Sequence, residues 1–442
     1  MTSPRTRPRH ALWLLAGASL LSSSPVCARS PAEHVEYKVL KGDTLYDLAI
    51  RYLANPGGYA VVQKLNRIAN PRRIPTGRTL KIPRALLRRE PIEATVLSYS
   101  GKVLVGARTA MVGMKVKEGD LLETADRSFV TLRLPDASTV SLPSRALVMV
   151  ELLRRTLLAD SVERRFTIAR GQATGSVTPM TDPHSTFQFQ TPRAMTSVRG
   201  TRFRVNYDPQ DSSSRVEVVE GKVAFRESGQ VEQLVAAGFG TKDSLPDPVP
   251  LLPPPALTAA DKVQDEEALR FALQPVAGAA AYHIQIARDA GFLEAIDETR
   301  SDGPEAQFSG IGNGTYFVRS SAIDANGLEG LPSTYSFERR LNRLRTSIEE
   351  GRAGKYRQYL FRWDAPDLGP DLAGTQFRFQ LSRNPDGSGA VADQTGLKGS
   401  SFVITDLPGG TYYWRVMSMT TGPERIYTKW SSTNELRVGA GK

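Results

Sequence analysis

The stretch Val216-Glu217-Val218-Val219-Glu220-Gly221-Lys222-Val223-Ala224-Phe225 sets the fold class. Apolar and charged residues alternate over Val216-Glu217-Val218, stop at Glu220-Gly221, and give way to Val223-Ala224-Phe225. A period of two puts one face of a strand inside and the other in water, and an acidic residue followed by glycine marks a turn. The stretch therefore reads as two antiparallel strands around a tight turn. Working outward, similar short runs occur at Val130-Thr131-Leu132-Arg133-Leu134, Thr139-Val140-Ser141-Leu142, Phe187-Gln188-Phe189 and Phe203-Arg204-Val205. Frequent short strands between Gly, Asp and Ser turns predict an antiparallel sandwich, roll or solenoid-like β domain over residues 91–242. Only around Leu147 to Leu158 does a helical apolar stripe compete with this reading.

The order of signals in this region resembles the FecR domain. The resemblance is carried by Val116-Lys117-Glu118-Gly119-Asp120 with Glu123-Thr124, and by Leu132-Arg133-Leu134-Pro135-Asp136-Ala137-Ser138. Thr191-Pro192-Arg193-Ala194 with Val198-Arg199-Gly200-Thr201-Arg202-Phe203 is its most diagnostic part, and Ala236-Ala237-Gly238 closes the run. Ala137 departs from the pattern, which usually has Gly in the turn after Asp. The resemblance implies an extracytoplasmic module, known best in regulators that relay an outer-membrane transporter signal to a sigma factor. With no cytoplasmic anti-sigma segment and no internal transmembrane helix in the sequence, the relay itself is not expected here. Arg199 is expected to pin a turn or to pair with a carboxylate of the sheet.

Residues 36–84 form a separate unit. Tyr37-Lys38-Val39 alternates as a short strand, Lys41-Gly42-Asp43 turns, and Thr44 with Asp47 has the spacing of a capping box. Leu45, Leu48, Ala49 and Tyr52 then line one face of a helix. Asn55-Pro56-Gly57-Gly58 interrupts it, a second helix with Tyr59, Val62 and Leu65 as its buried stripe follows, and Thr79-Leu80-Lys81-Ile82 returns as a strand. This βααβ unit closely resembles a LysM domain, through Gly42-Asp43-Thr44-Leu45, Leu48-Ala49, Leu65-Asn66, Asn70-Pro71 and Ile74-Pro75-Thr76-Gly77 followed by Leu80-Lys81-Ile82-Pro83. That resemblance implies binding of N-acetylglucosamine-containing glycans such as peptidoglycan in a shallow groove between two loops. Carried over by position, Gly42, Asp43, Thr44 and Leu45 form one wall, and Asn70, Pro71, Arg72 and Ile74 the other.

The C-terminal part repeats itself. Tyr282-His283-Ile284-Gln285-Ile286-Ala287-Arg288 aligns with Phe377-Arg378-Phe379-Gln380-Leu381-Ser382-Arg383 at an offset of 95, and Gly314-Thr315-Tyr316 with Gly410-Thr411-Tyr412 at 96. A period of that size means two domains, each with its own core. Residues 257–340 and 341–438 resemble fibronectin type III-like β-sandwiches, with Tyr316, Trp363, Tyr412 and Trp414 as core aromatics. The Pro-rich residues 243–256 read as a stiff, extended hinge, and His283 as an outward-facing residue.

Charge and composition narrow the functional classes. The 442-residue chain carries a net +11, yet residues 91–442 hold 41 basic and 41 acidic side chains, so the surplus is confined to the first 90. A protein coating nucleic acid along its length is excluded, and no nucleic-acid partner is expected. Residues 1–28 resemble an export signal, with Arg5, Arg7, Arg9 and His10 before an apolar run from Ala11 to Leu21 that is too short to span a bilayer. Pro25-Val26 lacks the small residue that precedes a lipidated cysteine, and no consecutive arginines mark a twin-arginine signal. Cleavage after Ala28 would remove Cys27, the only cysteine, and with it thiol catalysis and any disulfide. His34, His184 and His283 stand in unrelated contexts, and no nucleophile–base motif is visible. We therefore expect an exported, multidomain, mainly β protein of the periplasm or cell envelope, non-catalytic and without metal or cofactor. Peptidoglycan or another N-acetylglucosamine-containing glycan is its expected ligand, and an envelope protein its expected partner through the β domains. The alternatives are a sensory component acting through the FecR-like region and a cell-wall hydrolase.

Overall fold

The computed structural model describes residues 34–158, 161–258, 262–341, 343–368, 373–421 and 426–439. The export signal expected at residues 1–28 lies outside the described residues. The chain is mainly β and divides into two compact units, one ending at Leu87 and the other beginning at Arg88.

In the first unit, β1 (His34–Lys38) pairs antiparallel with β2 (Thr79–Pro83), from His34 opposite Pro83 to Lys38 opposite Thr79. Between them lie α1 (Leu45–Tyr52) and α2 (Tyr59–Leu65), joined by a 3₁₀ turn at Pro56–Gly58. Leu45, Leu48, Ala49, Val62, Leu80 and Ile82 bury together as the small core. The stripe expected on α2 is narrower than its spacing suggests. Val62 is buried, whereas Leu65 stays 42% exposed in the last turn of a seven-residue helix. Asn66, directly after it, explains the position better. Its amide donates to the carbonyls of Val62 and Lys81, both at 2.8 Å, and its oxygen accepts from the Lys81 N–H at 2.7 Å. One side chain thus ties the end of α2 to β2, satisfying helix-terminal and strand-edge groups together.

The second unit begins with a closed β body that runs to Pro250. Its organising element is the 16-residue strand Ser161–Ser176. The first half of that strand pairs antiparallel with Leu147–Thr156 and parallel with Thr186–Gln190. Its second half pairs antiparallel with Thr139–Leu142 and Arg202–Asp208. Both halves therefore enclose one core, at whose centre the rings of Phe166, Phe187, Phe189 and Phe203 lie 5.4–5.8 Å apart in neighbouring pairs. Leu147 to Thr156, the stretch with helical ambiguity, is a strand, because its inward residues Val148, Val150 and Leu153 fill this core. The opening quotation forms the strands Ser213–Glu220 and Lys222–Glu227, but they do not pair with each other as a tight hairpin would. The first pairs with Arg202–Asp208 and Phe239–Lys242, the second with Ala194–Val198 and Gln233–Ala236, and the chain turns the corner between them at Gly221 with φ +84°.

Two β-sandwiches follow. In the first, a sheet of Ala281–Ala287, Ala295–Ser301, Gly314–Ile323, Ser333–Arg339 and Val263–Gln264 faces the pair Leu269–Ala272 and Glu305–Phe308. In the second, Thr375–Ser382 and Gly410–Thr421 anchor the larger sheet, and Tyr356–Asp364 pairs with Ser401–Thr405 opposite it. The aligned repeats occupy matching strands. Tyr316, Trp363, Tyr412 and Trp414 are all buried, and Trp414 packs edge-on against Phe361 at 5.0 Å.

The segment expected to act as a hinge is extended but held at both ends. Val249 and Pro250 pair with Gly240 and Phe239, Leu251 N–H bonds to Gly238, and Leu252 and Pro255 accept from Leu331 N–H and the Ser333 hydroxyl. Prolines suit an edge that accepts hydrogen bonds and donates few, so this composition makes a strap rather than a free joint.

Candidate functional site

The two loops implicated in glycan binding meet. The Leu45 N–H, at the start of α1, donates to the Pro71 carbonyl at 2.9 Å. The eight expected residues then separate by role. The Asp43 carboxylate is spent on the fold, accepting from the Leu40 N–H and the Tyr37 hydroxyl, both at 2.7 Å. Burial and that carboxylate push the Tyr37 phenol up to about 12. Thr44 caps α1, accepting from the Asp47 N–H at 3.1 Å. Its hydroxyl donates to the Asp47 carboxylate at 2.6 Å, so the reciprocal arm of the capping box runs side chain to side chain. The side chains of Leu45 and Ile74 are buried in the core, which removes them from the expected walls and leaves only their backbones near the loops. Gly42, at φ +91° with open space where a Cβ would stand, Asn70 and Arg72 are exposed, and Pro71 is half-buried. Asn70 uses its oxygen to accept from the Arg72 N–H at 3.0 Å, which shapes the second loop.

Sequence reasoning missed the apolar surface of this unit. Leu40, Tyr46, Ile50 and Val61 are about half exposed, and the rings of Tyr46 and Tyr59 meet edge to face at 6.4 Å. The available signal was that Tyr46 and Ile50 are apolar residues off the buried stripe of α1.

A second polar centre lies within the other unit, between the closed β body and the first sandwich. His283 is 3% exposed, contrary to the outward placement expected from alternation. The face of its strand that would meet water is covered by the β body. His283 Nε2 lies 3.0 Å from Glu298 and Nδ1 3.1 Å from Glu329. Glu329 also accepts from Ser321 at 2.6 Å and pairs with Arg204 at 3.3 Å, and Arg204 Nε lies 3.5 Å from Glu217. Across the same seam, Ser144 N–H donates to Glu298 at 3.0 Å, and Arg127 bonds Asp297 through both Nε and Nη2. Burial alone would lower the His283 pKa, but Glu329 and Glu298 outweigh it and raise it to about 9. Burial would raise Glu298, yet His283 and the Ser144 N–H pull it to about 2. Burial lifts Glu217 to about 7 against the opposing pull of Arg204.

Arg199 pins a turn, as one of its two readings has it, donating to the Asp182 carbonyl at 2.7 Å and to Pro183 at 3.3 Å. Its partners are backbone carbonyls rather than a carboxylate. Among the described residues no helix is long and apolar enough to cross a membrane, and no group of three or more His, Cys, Asp or Glu side chains is arranged to hold a metal.

Comparison with known families follows this division. Residues 37–83 match the LysM domain. Residues 120–224 match the FecR protein family. LysM and FecR modules serve binding and signalling and are typical of bacterial envelope proteins, and the LysM module implies glycan binding. No curated relative matches the chain. Among solved structures, a candidate anti-sigma factor from Parabacteroides distasonis ATCC 8503 is 18% identical over 29% of this chain, with a TM-score of 0.24. The chain spans 57% of the length of that structure. Chicken interferon gamma receptor alpha chain is 9% identical, with coverage of 43% of this chain and 99% of that one and a TM-score of 0.26. Fibronectin(III)-like modules of Clostridium thermocellum CbhA are 8% identical, with coverage of 42% and 94% and a TM-score of 0.20. These low TM-scores give the likenesses no weight for function. The sandwich character of the C-terminal domains rests on their own strand pairing.

Proposed function

We propose that the chain is an exported, non-catalytic envelope protein. Its LysM module holds it on peptidoglycan or a similar N-acetylglucosamine-containing glycan, and its FecR-like and sandwich domains present surfaces to envelope proteins. The observation that carries this reading is the Leu45 N–H to Pro71 carbonyl bond, which draws two exposed loops together at the site the LysM pattern implicates. Gly42, Asn70, Pro71 and Arg72 stand at its rim, with Asp43, Thr44, Leu45 and Ile74 supporting them from behind. Acetamido groups need hydrogen-bond donors and acceptors beside a small apolar surface, and loops supply these without a deep pocket. Many weak contacts to repeating sugars add up through avidity. The basic residues around the module, Arg67, Arg72, Arg73 and Lys81 among them, favour carboxylate-bearing polymer, an attraction that salt screens.

Co-sedimentation with purified peptidoglycan sacculi tests the tether. The full chain should pellet with sacculi. The double variant Asn70→Ala, Arg72→Ala should be retained several-fold less with an unchanged circular dichroism spectrum, and raising salt should weaken the parent. Equal retention of a chain lacking residues 29–90 would overturn the assignment. A clearing zone made by the full chain on a peptidoglycan zymogram would overturn the non-catalytic part. A second reading, envelope sensing through residues 120–224, is favoured by the FecR match. Deletion of those residues that leaves the cell's response to envelope perturbation unchanged would count against it.

A further inference from the structure

A cleft of about 360 Å³ lies between the closed β body and the first sandwich. Arg133, Arg202 and Arg319 line it, and no carboxylate does among the described residues. Arg319 is the unusual member. It rises from the middle of the strand Gly314–Ile323 and its guanidinium lies over the Phe292 ring at 3.8 Å. Its Nε is buried and has no acceptor. Stacking uses a face of the guanidinium plane and leaves the N–H edges for an in-plane acceptor. Burial first, and then the charges of Arg202 and Arg204, draw Arg319 down to about 10, with Glu329 and Asp289 offsetting only part of this. A cation desolvated among other cations is an unfavourable arrangement for a bare protein and a favourable one for an anion.

Two further features suit a ligand. Phe292, the ring under Arg319, has φ +58°, a costly backbone conformation for an aromatic residue, so the fold holds this platform against local preference. Also lining the cleft, the hydroxyls of Thr131 and Ser141 hydrogen-bond at 2.9 Å on adjacent strands, and since one donates to the other, one hydroxyl proton remains for an oxygen in the cleft. Arg202 is half exposed and pairs with Glu220 at 2.7 Å at the surface, a contact that solvent screens and a ligand can replace.

The geometry points to an oxyanion-binding site at this seam, in which Arg319, held in place on the Phe292 ring, takes with Arg202 and Arg133 the carboxylate or phosphate of a small molecule. The site joins two domains, so occupancy strengthens their contact. It is independent of the LysM groove.

Calorimetric titration of the full chain at low ionic strength tests this with two probes, inorganic phosphate and citrate, which separate phosphate from carboxylate preference. Saturable binding of either is expected, weakening as salt rises. Arg319→Gln and Arg202→Gln should each weaken it about tenfold or more, the loss of one charge-assisted pair. Arg362→Gln, on the second sandwich, should leave it unchanged. Where Arg319→Gln fails to fold, the exposed Arg133→Gln and half-exposed Arg202→Gln carry the test. Absence of saturable binding for both probes, or parental affinity in the cleft variants, overturns the site.

Discussion

Ala137 shows how a single residue departs from its family and from its own backbone preference. It sits at φ +65°, in a turn closed by its N–H to the Leu134 carbonyl at 3.0 Å. The flanking Asp136 carboxylate accepts from the Ser138 hydroxyl at 2.9 Å and from Arg164 at 2.8 Å, so the turn is held although its central residue carries a Cβ. A left-handed L-residue costs about 1–2 kcal/mol, part of which glycine gives back as greater freedom in the unfolded chain. Ala137→Gly should therefore stabilise the β body by about 0.5–1 kcal/mol. The check is a rise in the urea midpoint of the full chain at unchanged slope. Here the family pattern pointed to the right residue, and the dihedral angle supplies the reason.

At the scale of elements, local signals were legible where the chain satisfies its own needs. Thr44 and Asp47 marked the start of α1, and the cap is there. Thr44→Ala should cost about 1 kcal/mol by leaving a first-turn N–H without its acceptor, read as an earlier transition in the helical circular dichroism signal. The repeat was legible to the level of dihedrals, since Gly314 and Gly410 have φ of 151° and 150° ahead of the buried Tyr316 and Tyr412. Elements whose state depends on distant neighbours were less legible. The helical stripe around Leu147 became a strand because an existing sheet was there to accept it. The strap over 243–256 read as a stiff hinge because proline composition does not reveal which edge lies alongside.

Across the second unit, the His283 network gives the domain seam a pH dependence. His283 is raised from an ordinary 6.5 to about 9, so its contribution is fully present below pH 6.5 and is lost as pH rises toward 9. Glu217, raised from 4.5 to about 7, acts in the same direction over its own range. Glu298, lowered to about 2, contributes above pH 4.5 and fails as pH falls toward 2. Across the network, stability should be greatest near pH 4.5, decline from there as Glu217 ionises, and decline further as His283 loses its proton toward pH 9, on the order of several kcal/mol in all. His283→Gln should lower stability at pH 6 and flatten that decline, which denaturation midpoints at pH 6, 7.5 and 9 would measure.

The sequence by itself determined what alternation, capping spacing, turn residues and internal repetition encode. These gave the mainly β class, the βααβ module and the two C-terminal repeats, while the resemblances to LysM and fibronectin type III-like domains implied the glycan-site loops and the sandwich architecture. Such signals are local, because a strand's period or a helix cap is satisfied within a few residues. Tertiary structure alone decided that Leu45 and Ile74 are buried, that Arg319 faces a cleft lined by no carboxylate among the described residues, and that His283 lies between two glutamates. Alternation assigns a side chain to a face, but only the packed domains decide whether that face meets water or another sheet. Burial across that seam then sets the charge each group carries.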